Sequence, residues 1–263
     1  MGEGDVMFIE AKDGTRLHVR DEGEGPVLVF ANSLGTDMRL WDDIVPLLPG
    51  YRMVRWDKRG HGQSDVPDPP YAMGALVSDA EAVIDACGIK DCTFIGLSIG
   101  GMIAQGLATK RPDLVARLVL SNTAAKIGDD KLWDWRIKTV LAEGMEPLAD
   151  GVMERWFGRD FLASPGHGLW RARFCQTPPK GYAGCSAAIK GTDFYTPTST
   201  LRLPVLAIAG SEDGATPPDL VRETAALVPD SRFELMPRAG HLPCVEKPDD
   251  YAAILRGFLS DFH

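Results

Sequence analysis

Residues 93–105 read TFIGLSIGGMIAQ. The first half is an unbroken apolar run, the pattern of a strand buried on both faces. The second half spaces its apolar residues as a helix does. At the join a single hydroxyl, Ser98, stands among Gly96, Gly100 and Gly101. One reading is a Gly-rich turn from strand into helix. The other is a serine held out of a tight turn for attack. Gly96-Leu97-Ser98-Ile99-Gly100 fits G-x-S-x-G, in which the residues two before and two after the serine must lack bulk. The pattern alone is weak, because Gly and Ser are common. A strand before it and a helix after it give it context, and the helix N-terminus points N–H groups and partial positive charge at the serine.

The same alternation runs along most of the chain. Strands are expected at 6–11, 16–21, 26–31, 51–56, 92–97, 116–122, 204–210 and 231–236, and helices near 39–48, 72–87, 99–110, 218–227 and 248–260. The first two strands flank KDGT, a turn signal, and form an antiparallel hairpin. The later ones are continuous apolar runs. Together they predict an α/β fold with an eight-stranded, mostly parallel sheet flanked by helices, and a ligand site outside the carboxyl ends of the strands. Residues 126–200 break the rhythm. They contain helix-like segments, no good strand, and four of the six tryptophans: Trp133, Trp135, Trp156 and Trp170. This stretch is expected to be a helical cap inserted into a core of 1–125 and 201–263. An aromatic-rich lid over a polar site makes a small-molecule pocket, although each tryptophan taken singly also fits plain packing between cap and sheet.

The 263 residues carry a net charge of −9. That charge disfavours nucleic acid and anionic membrane surfaces as partners. The five cysteines are odd in number and form no C-x-x-C pair, so neither a disulfide framework nor a zinc site is expected. MGEGDVMFIE lacks the charged and apolar regions of a signal peptide, Gly2 lacks the rest of a myristoylation motif, and no apolar run approaches the roughly 20 residues of a membrane span. A cytoplasmic protein is expected. The sequence gives no reading of its oligomeric state.

A serine hydroxyl attacks only when a base takes its proton. Of the five histidines, His18 falls in the hairpin, His61 in a turn after a strand, His167 in the insertion and His263 at the chain end. His241 falls in PRAGHLPCVEKP, a loop between the last strand and last helix that opens on the same sheet edge as Ser98. It is the candidate base. Asp213, in GSEDGATPP after the strand at 204–210, is the candidate acid that fixes the imidazole tautomer. Glu212 beside it points elsewhere in this reading. The preceding strand ends in LSNTAAK, where Asn122 cannot supply a charge. The backbone N–H groups of Ile99 and of Leu34, the latter in NSLGTD after the third strand, are the expected oxyanion donors.

With the order Ser98, Asp213, His241 in place, the chain resembles the α/β-hydrolase superfamily over essentially its whole length. Within it, the chain is similar to the 3-oxoadipate enol-lactonases. The resemblance is carried by NSLGTDMRLWD, DKRGHGQSDVP, GLSIGGMIAQ, LVLSNTAAKIG and GSEDGATPP, with SNTAAKIG running into LWDWRI the most family-specific. Many superfamily members have His-Gly where this chain has Asn32-Ser33, and the enol-lactonase type resembles this chain there. The resemblance implies hydrolysis of 3-oxoadipate enol-lactone to 3-oxoadipate in bacterial degradation of aromatic compounds, without a metal or organic cofactor. The substrate would be a small anionic lactone. Its carboxylate calls for a donor in the cap: Arg136 by bidentate geometry and Trp135 by its indole N–H, although an exposed helix arginine is the commoner case. A serine at the elbow argues against the dehalogenases and epoxide hydrolases of this fold, which attack with a carboxylate. Other readings stay open: another serine hydrolase (carboxylesterase, perhydrolase or carbon–carbon bond hydrolase), or a small-molecule receptor on the same fold.

Overall fold

The computed structural model describes residues 5–262, so Gly2 and His263 lie outside the described residues. Eight strands form one sheet: β1 (Asp5–Glu10), β2 (Arg16–Glu22), β3 (Val27–Ala31), β4 (Arg52–Trp56), β5 (Cys92–Leu97), β6 (Val115–Ser121), β7 (Val205–Gly210) and β8 (Arg232–Met236). Their spatial order is β1-β2-β4-β3-β5-β6-β7-β8. β2 runs against both its neighbours, and the pairs from β4 through β8 are parallel. All six residues of β5 and all six of β7 are buried, so both faces of the sheet centre are covered. The mostly parallel eight-stranded α/β sheet is the fold the sequence predicts.

Around the sheet lie α1 (Met73–Ala86), α2 (Ile99–Lys110), α9 (Pro218–Ala226), α10 (Pro243–Glu246) and α11 (Pro248–Ser260). No continuous helix forms over 39–48. Two 3-10 turns, Met38–Trp41 and Val45–Leu47, stand there instead. Pro46 has no N–H to donate and its ring collides with the carbonyl four residues back, so the helix is cut in its middle. Even so, Leu40, Trp41 and Ile44 are buried in the core.

Between β6 and β7 the chain makes six helices: α3 (Asp130–Glu143), α4 (Glu146–Trp156), α5 (Arg159–Leu162), α6 (Gly166–Cys175), α7 (Pro179–Lys190) and α8 (Tyr195–Ser199). α3 packs on α7 and α4, and α4 on α6. No helix among the described residues is long and apolar enough to cross a membrane.

The junction after α4 is tied to the loop that follows β8. The Trp156 carbonyl accepts the N–H groups of His241 (2.7 Å) and Leu242 (3.3 Å). Glu246 accepts from the Gly158 N–H (2.9 Å) on one side and the Gly240 N–H (2.7 Å) on the other. Glu212 accepts from the Arg159 N–H at 2.8 Å. Burial pushes the Glu246 carboxyl up from 4.5 to about 7, against these two N–H bonds, which favour its ionised form. A carboxyl raised in the fold contributes stability while it is protonated, fully below its unfolded value near 4.5, and loses it as pH rises through about 7. Urea unfolding from about pH 5 to about pH 8 should therefore show wild type losing on the order of 1 kcal/mol more stability than Glu246→Gln. Identical pH slopes for the two proteins would show that Glu246 ionises freely in the fold.

Candidate active site

Ser98 sits between β5 and α2 with φ 59° and ψ −120°. A non-glycine residue holds this conformation only when its surroundings over-determine it. The Ser98 N–H donates to the Ser121 carbonyl at 3.0 Å, and the Ser98 carbonyl accepts from Thr123 Oγ1 (2.6 Å) and the Gly101 N–H (2.8 Å). The glycines around it are required by space. A Cβ on Gly96 would overlap the Gly100 carbonyl, and one on Gly100 would overlap the Ala31 carbonyl at the end of β3.

His241, 2% exposed, lies between β8 and α10, with Nδ1 at 2.9 Å and 3.1 Å from the two carboxylate oxygens of Asp213. Facing a carboxylate, Nδ1 carries the proton, so Nε2 carries the lone pair. Nε2 is 3.4 Å from Ser33 Oγ. Asp213 follows β7 and takes further bonds from the Ala215 and Thr216 N–H groups (2.7 and 3.0 Å), from Thr216 Oγ1 (2.8 Å) and from Asn122 Nδ2 (2.9 Å). Burial alone would raise this carboxyl. The neighbouring His241 and the bonds from Asn122 and Thr216 outweigh it and hold Asp213 below the ordinary carboxylate range. Asn122 thus orients the carboxylate that it cannot itself provide. Glu212 is turned away onto Arg159.

Ser98 and His241 line one cavity together with Ser33, Leu34, Trp133, Arg136, Arg155, Trp156 and Tyr182. Its free volume is about 40 Å³, room for a few waters. Leu34 lines it directly. Ile99 opens α2, where a first-turn N–H has no intrahelical acceptor. Roof residues come from α3, α4 and α7. Arg136 Nη1 donates to the Tyr182 hydroxyl at 3.1 Å, and its guanidinium lies 5.4 Å from the Trp133 ring centre. Arg155 pairs with no carboxylate among the described residues. Burial, then repulsion from Arg136, lowers its pKa, so the pair of cations favours an anion beside it.

Trp135 is not in this lining. It is 55% exposed, whereas Trp133 is buried. Two residues along a helix turn the side chain about 200°, so Trp133 and Arg136, three apart, share the inner face and Trp135 points out. Arg155 and Tyr182 are cavity residues that no sequence motif marks, and Arg155 is the second cation there. Only its place beside the buried Trp156, at the end of α4, sets it apart from the other cations of residues 126–200.

A second, roomier cleft of about 610 Å³ is lined in part by His18, Asp57, Arg39, His61 and Arg173. His18 Nδ1 and Asp57 Oδ2 are 2.8 Å apart, a second His–Asp pair. No serine or cysteine among the described residues lines that cleft, so it lacks a nucleophile of the kind Ser98 provides. His167 bonds the Ser164 carbonyl within the insertion.

A family model of the α/β hydrolase fold matches residues 26–248. A 3-oxoadipate enol-lactonase of Acinetobacter baylyi is 31% identical over 98% of this chain and 98% of its own length. Among solved structures, a hydrolase from Pseudomonas aeruginosa is 36% identical, with a TM-score of 0.93 over 98% of this chain and 99% of its own. The enol-lactonase from Burkholderia xenovorans is 34% identical, with a TM-score of 0.93 over 97% of this chain and 100% of its own.

The site's geometry rests on the close crossing at Gly100. Replacing Gly100 with Ala forces α2 off β3 or strains both, and should cost about 1–3 kcal/mol of unfolding free energy, read as a lower urea midpoint. An unchanged midpoint would mean the crossing has slack that the contact with Ala31 does not suggest.

Proposed function

This chain belongs to the α/β-hydrolase family, and within it we propose that the protein hydrolyses 3-oxoadipate enol-lactone to 3-oxoadipate through an acyl-enzyme on Ser98. The observation that carries the reading is the meeting in one cavity of Ser98, a histidine backed by Asp213, and two arginines without carboxylate partners among the described residues. The similarity to enol-lactonases supports the lactone as substrate. In this reading residues 126–200 are the cap over a core of 1–125 and 201–263. Arg136 and Arg155 take the free carboxylate of the lactone, and Tyr182 braces Arg136. Substrate access requires the roof side chains to yield, since the cavity holds only a few waters as it stands.

His241 Nε2 takes the Ser98 proton as Oγ attacks the lactone carbonyl. The N–H groups of Leu34 and Ile99 receive the developing oxyanion. Collapse breaks the ring C–O bond and expels an enolate, a better leaving group than a simple alkoxide. The imidazolium proton quenches the enolate, which ends as the ketone. Water activated by His241 then attacks the acyl-enzyme and restores the Ser98 hydroxyl. One water is consumed, and the product carries two carboxylates. Asp213 stabilises the imidazolium in both halves and is not protonated itself. No step uses a metal or organic cofactor.

Ser98→Ala should abolish lactone loss followed by absorbance, and Asp213→Asn should lower kcat by about 10⁴. Turnover retained in Ser98→Ala would remove the nucleophile assignment, and binding without turnover by wild type would favour a receptor. Arg136→Ala and Arg155→Ala should each raise KM for the anionic lactone about 10-fold or more, leaving a neutral aryl ester nearly unaffected. Equal effects on both substrates would refute the carboxylate role and favour a general esterase.

A further inference from the structure

We propose that Lys58 is a positioning residue that aims and polarises the Ser33–Leu34 peptide, the unit whose N–H receives the oxyanion. The inference rests on the active-site reading above. Lys58 follows β4 and is 3% exposed. Its ammonium donates to the Ser33 carbonyl at 2.6 Å and to the Thr36 carbonyl at 2.9 Å. No ion pair of Lys58 exists among the described residues. Asp57, next in sequence, is committed to His18 and to the N–H groups of Met38 and Gln63. Asp37 is committed to Arg39. A charge has therefore been taken out of water to hold two backbone carbonyls, a task for which a neutral amide would carry a far smaller desolvation cost.

The geometry says what the charge adds. A trans peptide is planar, with C=O and N–H on opposite sides. Holding the Ser33 oxygen against Lys58 turns the Leu34 N–H the other way, and Leu34 lines the cavity that holds Ser98. A positive charge 2.6 Å from the carbonyl oxygen draws electron density through the amide and makes that N–H a stronger donor. The rest of the loop is gripped in the same manner. The Gly35 N–H donates to His61 Nε2 at 3.0 Å, and the Gly35 carbonyl accepts from Thr177 Oγ1 at 3.3 Å. His61 can accept because it is neutral: burial, then the charge of Lys58, hold it well below its ordinary pKa. None of these grips takes the Leu34 N–H.

The titratable groups facing Lys58 are Cys185 on α7, Asp57, Asp37 and His61. Cys185, its thiol pushed up to about 12 by burial, and His61 are both neutral near pH 8. Burial lowers Lys58 itself to about 8. Above that pH the amine still donates but its charge is gone, so the loss falls on transition-state charge rather than on substrate binding.

Three measurements test this, with Ser98→Ala run alongside. Lys58→Met should lower kcat about 100-fold with KM changed less than about threefold. An aryl boronic acid, which forms a tetrahedral anion on an active serine, should lose affinity in parallel, while 3-oxoadipate should not. In wild type, kcat should decline through about pH 8 at constant KM and constant circular dichroism. Full kcat in Lys58→Met, or boronate and 3-oxoadipate affinities that fall together, would overturn the proposal. If Lys58→Met fails to fold, the wild-type profile decides, and a flat kcat to about pH 9.5 overturns it. Turnover in Ser98→Ala would instead overturn the active-site reading itself.

Discussion

Helix α2 begins one residue after Ser98 and runs so close to β3 that the Ala31 carbonyl fills the space a Gly100 side chain would need. That contact fixes the turn, and the turn fixes the serine in a conformation it would not choose alone. β3 and β5 pair in parallel at the sheet centre, so the loops leaving both strands open at the same edge. The loop after β3 brings Leu34 to the serine, while the loops after β7 and β8 bring Asp213 and His241. Proline at 46 or a changed helix between β6 and β7 would be local matters. A side chain at 96 or 100 would move the centre of the sheet.

Much of this was legible because it is written locally. Strand and helix periods identify all eight strands and four of the five helices expected between them, and the small residues around Ser98 announce a crossing that only small residues permit. The order of Ser98, Asp213 and His241 requires only that loops after successive strands share an edge. The 39–48 segment went wrong because its apolar spacing is helical while Pro46 is not. Trp135 went wrong because a run with tryptophans at 133 and 135 does not say which face turns inward; the packing of α3 on α4 and α7 decides it.

Two of the residues that the sequence concealed act through partners far away in the chain. Asn122 reads as a failed acid until it is seen donating to Asp213, 91 residues on. Lys58 carries no reading of its own within DKRGHGQS until the carbonyls of Ser33 and Thr36 are found at its ammonium. Arg155 has no motif at all, and its distinction is its lack of a carboxylate partner among the described residues.

The tie between α4 and the His241 loop bears on how such a protein can be rebuilt. The Trp156 carbonyl accepts the His241 N–H, and Glu246 bridges Gly158 to Gly240. The end of α4 and the main chain of His241 are therefore joined by hydrogen bonds, and α4 cannot move away without pulling on His241. Residues 126–200 exchanged for those of a relative would keep this join only if the turn after α4 still met the loop after β8. The unit that can be exchanged between such proteins includes the turn after α4 and the loop after β8 together.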